Sequence, residues 1–460
     1  MSLQFSQTPA YQFMPLPPPG EVPLRIPHSA PIIDAVISPG DSASDARRIF
    51  DAAMLHENAG NLKSAAVAYR ELARIRPTPE AYLVLGGVYF KQGDHQRMLF
   101  ALRRSLAAIQ KARRRSLPVI PGTEVGAHYG LAVANLMLGK LQPAKLEART
   151  ALAVDPQNAG ARLVLGYAHE LDGEYEKAAD DYEQAILLEP NLRDAYMRLV
   201  DLLVGMADRT AEESLRKGLT EAAISTLRQT IDRFPSDSSQ AHNNLGVLLN
   251  RMEDHQGALR EFEAAVKAAP QNIAAVTNLG LAYVAAGHLE EALRIYENAA
   301  VVISGGGAAQ SSYVFNGLGM ALAKASETDH GPNSDLLARA EGAFLKAIDF
   351  DPHNSDARNN LGTIYGAMGR LDDALNQFNL VLQFDPQNQY ARDACSEVSI
   401  RKYSPGPPDD PKEQARIDST LQFLERLRQE GDEEEQRETF ARLKQALDED
   451  RLSYRRLFSE

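Results

Sequence analysis

The chain has 460 residues, a formal net charge of −13, one cysteine and no tryptophan. A lone cysteine excludes an internal disulfide and a cysteine-rich structural zinc site. The acidic balance argues against nucleic acid or an anionic membrane surface as the main partner, since both need a basic face.

Residues 1–42 form a Pro-rich arm, with Pro9, Pro15, Pro17, Pro18, Pro19, Pro23, Pro27, Pro31 and Pro39. Proline at this density forbids helix and favours an extended chain. Phe5, Tyr11, Phe13 and Met14 make the arm more apolar than a plain linker, which favours a strap lying on its own chain or on a partner over the alternative of a flexible arm. Met1–Gly20 has no basic n-region and no apolar h-region, and reads as neither signal nor transit peptide. No run of about 18 apolar residues suits a membrane span, and a cytoplasmic location is the expectation.

Helical periodicity begins after Ser42-Ala43-Ser44-Asp45, a good N-cap cluster. The string Asn243-Asn244-Leu245-Gly246 then returns as Thr277-Asn278-Leu279-Gly280 and as Asn359-Asn360-Leu361-Gly362. A period of about 34 residues signals stacked helical hairpins. Aligned on their small residues, two units occupy 43–110 and a basic, Pro-containing linker follows at 111–123. Seven more units occupy 124–386, of which the fourth in the chain is the clearest: Leu165, Gly166, Gly173, Ala178, Tyr182, Ala185 and Pro190. Extra residues near Ala207–Gly218 and Thr328–Ser334 are expected to be loops or helix extensions. A capping helix is expected at 387–403, with Cys395 as a packed thiol. A charged helical tail follows at 404–460 and includes the acidic run Asp432–Glu435.

Small residues let two helices approach, and the aromatic one turn later fills the gap beside them. Pro ends the second helix, and Asn158, Asn272, Asn354 and Asn388, two residues on, are placed to cap the next. Leu-Gly-x-x-Tyr, then Ala-x-x-x-Phe/Tyr, then Pro resembles the tetratricopeptide repeat family over Ala46–Pro386. The family's Trp position holds Tyr82, His128, Arg162, Tyr196, His242, Val276, Phe315 and Arg358. The resemblance implies an all-α, right-handed solenoid of about nine hairpins closed by a C-terminal capping helix.

No catalytic constellation is expected, nor any cofactor or metal. The ten histidines are scattered, and His56, His128, His169 and His242 stand at packing positions of the repeat. Ser304-Gly305-Gly306-Gly307 lacks the Lys-Ser/Thr ending of a phosphate loop. Lys111–Arg115 reads as an exposed helix end.

The resemblance implies a concave groove lined by each unit's first helix, around the Leu-Gly pair. In the first half the candidate groove residues are Leu83, Val84 and Phe90, then Tyr129 and Val133, then Leu163 and Tyr167. They form an apolar wall suited to an amphipathic helix or strap. In the second half they are Asn243, Asn244 and Asn250, then Asn278, Asn316, Asn359 and Asn360. A row of carboxamides can pair with the backbone of an extended peptide. It resembles the asparagine ladder in the repeat domain of O-linked N-acetylglucosamine transferase, with Gly317 and Arg198 replacing rungs. The alternative is that these asparagines only pack against neighbouring helices. Phe50, Met54, Glu80 and Val84 stand where the carboxylate clamp of chaperone-binding repeats needs other residues, so no preference for that type of acidic C-terminal peptide is expected.

The expected function is a non-catalytic scaffold or adaptor that binds a protein or peptide segment. Self-association through the arm and a regulatory or targeting role beside an enzyme are alternatives, the latter by fold analogy alone.

Overall fold

A computed structural model describes residues 43–120, 122–302, 308–327 and 333–403. The Pro-rich arm, the Ser304–Gly307 turn, most of the Thr328–Ser334 loop and the charged tail lie outside these residues. The chain divides into two compact units, Met1–Asn360 and Leu361–Glu460.

The described residues are all-α, with nineteen α-helices and no strand. Seven belong to the first part of the chain: α1 (Ala43–Asn58), α2 (Leu62–Ile75), α3 (Pro79–Lys91), α4 (His95–Arg114), α5 (Thr123–Met137), α6 (Leu141–Val154) and α7 (Ala159–Leu171). Then come α8 (Tyr175–Leu188), α9 (Arg193–Arg209), α10 (Glu213–Arg233), α11 (Ser239–Arg251), α12 (His255–Ala268) and α13 (Ile273–Ala286). The last are α14 (Leu289–Val302), α15 (Ala308–Ala325), α16 (Ser334–Phe350), α17 (Ser355–Ala367), α18 (Leu371–Phe384) and α19 (Gln389–Tyr403). Odd and even helices pair as hairpins from α1–α2 to α17–α18, and α19 is left as the expected cap.

The turn inside the hairpin comes from glycine. Gly60, Gly93, Gly139, Gly173, Gly287 and Gly369 hold φ between 69° and 79°, the left-handed region that glycine enters freely. Glu253 stands at the same turn between α11 and α12 with φ 65°. A second set of glycines lets the two helices touch. A Cβ on Gly166 would lie 2.8 Å from the Tyr182 ring, one on Gly246 2.6 Å from Phe262, and one on Gly362 2.7 Å from Phe378. Tyr182, Phe262 and Phe378 are fully buried in those gaps, and burying a large side chain stabilises by about 2–3 kcal/mol.

The asparagines after each Pro cap the next helix. Asn158, Asn272, Asn354 and Asn388 accept from the backbone N–H of Ala161, Ala275, Ala357 and Ala391 at 2.8–3.2 Å. Two of them also tie one hairpin to the one before. Asn272 donates to Ser239 Oγ (2.9 Å), which itself donates to the Ala265 carbonyl. Asn354 donates to Ser312 Oγ (2.8 Å), which donates to the Ala347 carbonyl.

The extra residues near Ala207–Gly218 lengthen both helices of the fifth hairpin: α9 has 17 residues and α10 has 21, against 13 and 14 in the fourth. The basic run assigned to the linker 111–123 begins in helix, because α4 continues through Lys111 and Arg113 to Arg114.

In the second unit α19 packs on α18. Tyr390 meets the Phe378 ring edge-on with centroids 6.3 Å apart, and its hydroxyl lies 2.7 Å from Thr363 Oγ1. Cys395 is half-buried, 3.7 Å from Asn379 Oδ1, and burial raises its thiol pKa.

Candidate functional site

The first helices bring the candidate groove residues together, but not on an open wall. No residue of α3 from Pro79 to Phe90, of α5 or of α7 from Ala159 to Glu170 is exposed. Leu83, Val84, Tyr129, Val133, Leu163 and Tyr167 are buried in one continuous core. Successive first helices touch there. A Cβ on Gly126 would meet Leu83 at 3.4 Å, and one on Gly160 would meet Tyr129 at 3.0 Å. Arg198 of α9 lies over the Tyr167 ring at 4.6 Å. Phe90 is half-buried at the end of α3, tilted against His95 with centroids 6.4 Å apart.

The asparagines fall in the same register on α11, α13, α15 and α17. Asn243, Asn244, Asn278, Asn359 and Asn360 are essentially fully buried, and Asn316 nearly so. Asn278 donates to Asn243 Oδ1 at 2.8 Å, and Asn360 donates to Asn316 Oδ1 at 3.0 Å. In each case the second asparagine position of one hairpin donates to the first position of the hairpin before. Asn243 also donates to Asn244 (3.2 Å). Asn250 is apart from the row, at the end of α11, with Oδ1 2.8 Å from His255 Nδ1.

Polar contacts across the third, fourth and sixth hairpins form a second pattern. His128 meets Glu147 at 2.6 Å, Arg162 meets Asp181 at 3.1 Å and His242 meets Glu261 at 2.7 Å. Each pair joins the former Trp position to a carboxylate 19 residues on. At these three positions a polar contact stands where the family's Trp would pack. The 19-residue spacing is present in the sequence, but nothing there separates these acids from other polar residues of amphipathic helices.

An open cleft of about 610 Å³ lies among α6, α7 and α8, lined in part by Arg149, Arg162, His169 and Asp181. His169 Nδ1 is 2.7 Å from Asp181 Oδ2, and its other ring nitrogen is 3.2 Å from Arg149 Nη2. Burial raises the Asp181 carboxyl pKa against the pull of His169 and Arg162. Beside the cleft, Lys145 is buried between Asp172 (2.5 Å) and Glu174. Burial alone would lower its pKa, but hydrogen bonds to the two carboxylates outweigh this and raise it. Hydrogen bonds from Lys145 and Lys177 hold Glu174 down to about 2. Every one of these cations has a carboxylate or a ring nitrogen beside it, which is the chemistry of a structural network. Among the described residues no group of three or more His, Cys, Asp or Glu is placed to hold a metal ion. Among the same residues no helix is long and apolar enough to cross a membrane.

Models of the family described as "Tetratricopeptide repeat" match residues 50–97, 142–195 and 210–273, residues 249–300, and residues 343–376. The chain is built of tetratricopeptide repeats. These repeats are 29% identical over 158 residues to anaphase-promoting complex subunit 7 of Arabidopsis thaliana, covering 34% of this chain and 26% of that protein. They are 32% identical over 132 residues to a probable UDP-N-acetylglucosamine–peptide N-acetylglucosaminyltransferase, SPINDLY, of Hordeum vulgare, covering 28% of this chain and 13% of that one. The matched stretches thus span about a quarter or less of those relatives. Among solved structures, a crystal structure of YrrB, a TPR protein with an unusual peptide-binding site, aligns over 47% of this chain and 99% of its own at 20% identity and TM-score 0.34. MamA from Desulfovibrio magneticus RS-1 aligns over 38% and 93% at 17% identity and TM-score 0.32.

Proposed function

We propose that this tetratricopeptide-repeat chain is a non-catalytic scaffold that holds an extended segment of a protein partner along its first helices, within a multiprotein assembly. The observation that carries this is the contrast between the two halves of the stack. Leu83 and Val84 stand at the positions of Asn243 and Asn244 relative to the Leu-Gly pair, and they close the same contact without a polar atom. Stacking therefore does not require carboxamides there. A buried polar row is costly unless its groups are satisfied, and it stabilises less than an apolar one of the same shape. In this reading a partner's extended backbone exchanges with the Asn278–Asn243 and Asn360–Asn316 hydrogen bonds between neighbouring first helices, because it presents the donors and acceptors that a carboxamide matches. The likeness to a protein named as a subunit of the anaphase-promoting complex supports an assembly role.

The test is affinity purification of the chain from its native cell, with the co-purifying chains identified, then repeated with Asn243→Leu, Asn244→Val and Asn278→Val combined. The variant is expected to stay folded by circular dichroism and to lose the partner. Recovery of the same partner at the same yield would remove the asparagine row from the account.

A further inference from the structure

The second helices carry an apolar and basic surface that the first-helix reading does not use. Val67, Phe100 and Leu146 are 57%, 63% and 64% exposed. They share one register on α2, α4 and α6. Each lies midway between two fully buried residues four apart: Ala65 and Tyr69, Met98 and Leu102, Ala144 and Ala148. The helical repeat turns the middle residue outward in every case. Later hairpins hold exposed Asp180, Ser225, Arg260 and Arg294 at this position, so the apolar choice is confined to three adjacent hairpins. A single exposed apolar residue needs no explanation, but three in register on neighbouring hairpins do.

The charge around them is opposite to that of the chain. α4 has six cations, Arg97, Arg103, Arg104, Lys111, Arg113 and Arg114, and no carboxylate. Arg97 is paired with Asp94, and Arg113 with Glu124. Arg103, Arg104, Lys111 and Arg114 are exposed and make no ion pair among the described residues. The buried stripe of α4 is Met98, Leu102, Ser105 and Ile109. Phe100, Arg103, Arg104, Lys111 and Arg114 fall on the opposite stripe at helical spacing. Arg104 lies over the Phe100 ring at 5.2 Å. On a chain of net charge −13, this is a local basic field laid beside an apolar ridge.

We propose that the outward face of α2, α4 and α6 docks an acidic amphipathic helix of a partner protein. Its apolar stripe covers Val67, Phe100 and Leu146, and its carboxylates meet Arg103, Arg104, Lys111 and Arg114. Charge complementarity chooses the occupant: an anionic helix with an apolar face satisfies both features, whereas nucleic acid uses the cations and leaves the ridge uncovered. This face is distinct from the first-helix row, and each is tested without the other.

The experiment is fluorescence anisotropy with the full chain and a labelled helix-forming peptide of about 20 residues, roughly 30 Å long, with Leu on one face and Glu on the other. Binding is expected to weaken with salt. It is also expected to fall at least about tenfold for Arg103→Glu, Arg104→Glu and Arg114→Glu combined. Phe100→Ser with Leu146→Ser should weaken it at both low and high salt, and all these positions are exposed, so the variants keep the fold. The Asn243→Leu, Asn244→Val, Asn278→Val variant should bind the peptide like the wild type. Absence of binding by the wild type would overturn the proposal, as would equal binding of a peptide with Ser in place of Leu. Tighter binding of a duplex DNA of similar length would overturn it in favour of nucleic acid.

Discussion

Glu253 holds a left-handed φ of 65° at a turn where six other hairpins place glycine. A side chain in that region costs about 1 kcal/mol relative to glycine. Glu253→Gly is therefore expected to raise stability by about 1 kcal/mol, read as a higher urea midpoint at unchanged slope. An unchanged or lower midpoint would show that the Glu253 backbone is not strained. The opposite change is expected at Gly246, where a Cβ would lie 2.6 Å from the Phe262 ring. Gly246→Ala should cost roughly 1–3 kcal/mol by overpacking, and full wild-type stability in the same melt would contradict the close approach. The Leu-Gly contacts and the capping asparagines were legible in the sequence, because each follows from geometry that few residue types satisfy. The environment of Lys145 was not. Its neighbours, Ala144 and Leu146, read as an ordinary amphipathic helix, and only the hairpin that follows supplies Asp172 and Glu174.

At the scale of the element, the fourth hairpin is fastened to the third by charge. Glu174 is held down to about 2 from its ordinary 4.5, so the folded state favours its ionised form. A depressed carboxyl pKa contributes stability above the unfolded value, and that stability is lost as pH falls through the folded one. The Glu174 contribution is thus expected to disappear between pH 4.5 and about 2. Comparing thermal melts of the wild type and Glu174→Gln across that window checks this: the variant should lose less on acidification. Parallel curves would mean that the Lys145 contact does not hold in solution. Asp181 runs the other way, since burial raises its pKa, and its protonation eases folding as pH falls. The variant comparison isolates Glu174 from that opposing trend.

At the scale of the whole molecule, periodicity made the hairpins legible and concealed how far the first helices are buried. Leu83, Val84, Leu163 and the asparagines were read from their place beside the Leu-Gly pair as groove residues. In the structure the same place lies where one first helix meets the next, so these side chains, Asn250 apart, are core or buried pairs. Sequence spacing gives the face of a helix but not what packs against it. The basic run at Lys111–Arg115 was legible as charge. Its partner feature, the register shared by Val67, Phe100 and Leu146, emerges only when the exposed side of each second helix is known.

The proposed function requires that the asparagine row serve recognition and that stacking not need it. The most direct measurement is a urea melt of Asn243→Leu, Asn244→Val and Asn278→Val combined, which copies the apolar residue types of the first half. Replacing both members of a buried hydrogen-bonded pair by apolar groups is nearly neutral or stabilising, so the variant is predicted to lie within about 1 kcal/mol of the wild type, or above it. A loss of about 3 kcal/mol or more, the cost of breaking a needed buried network, would show that the carboxamides hold the stack together and would contradict the claim.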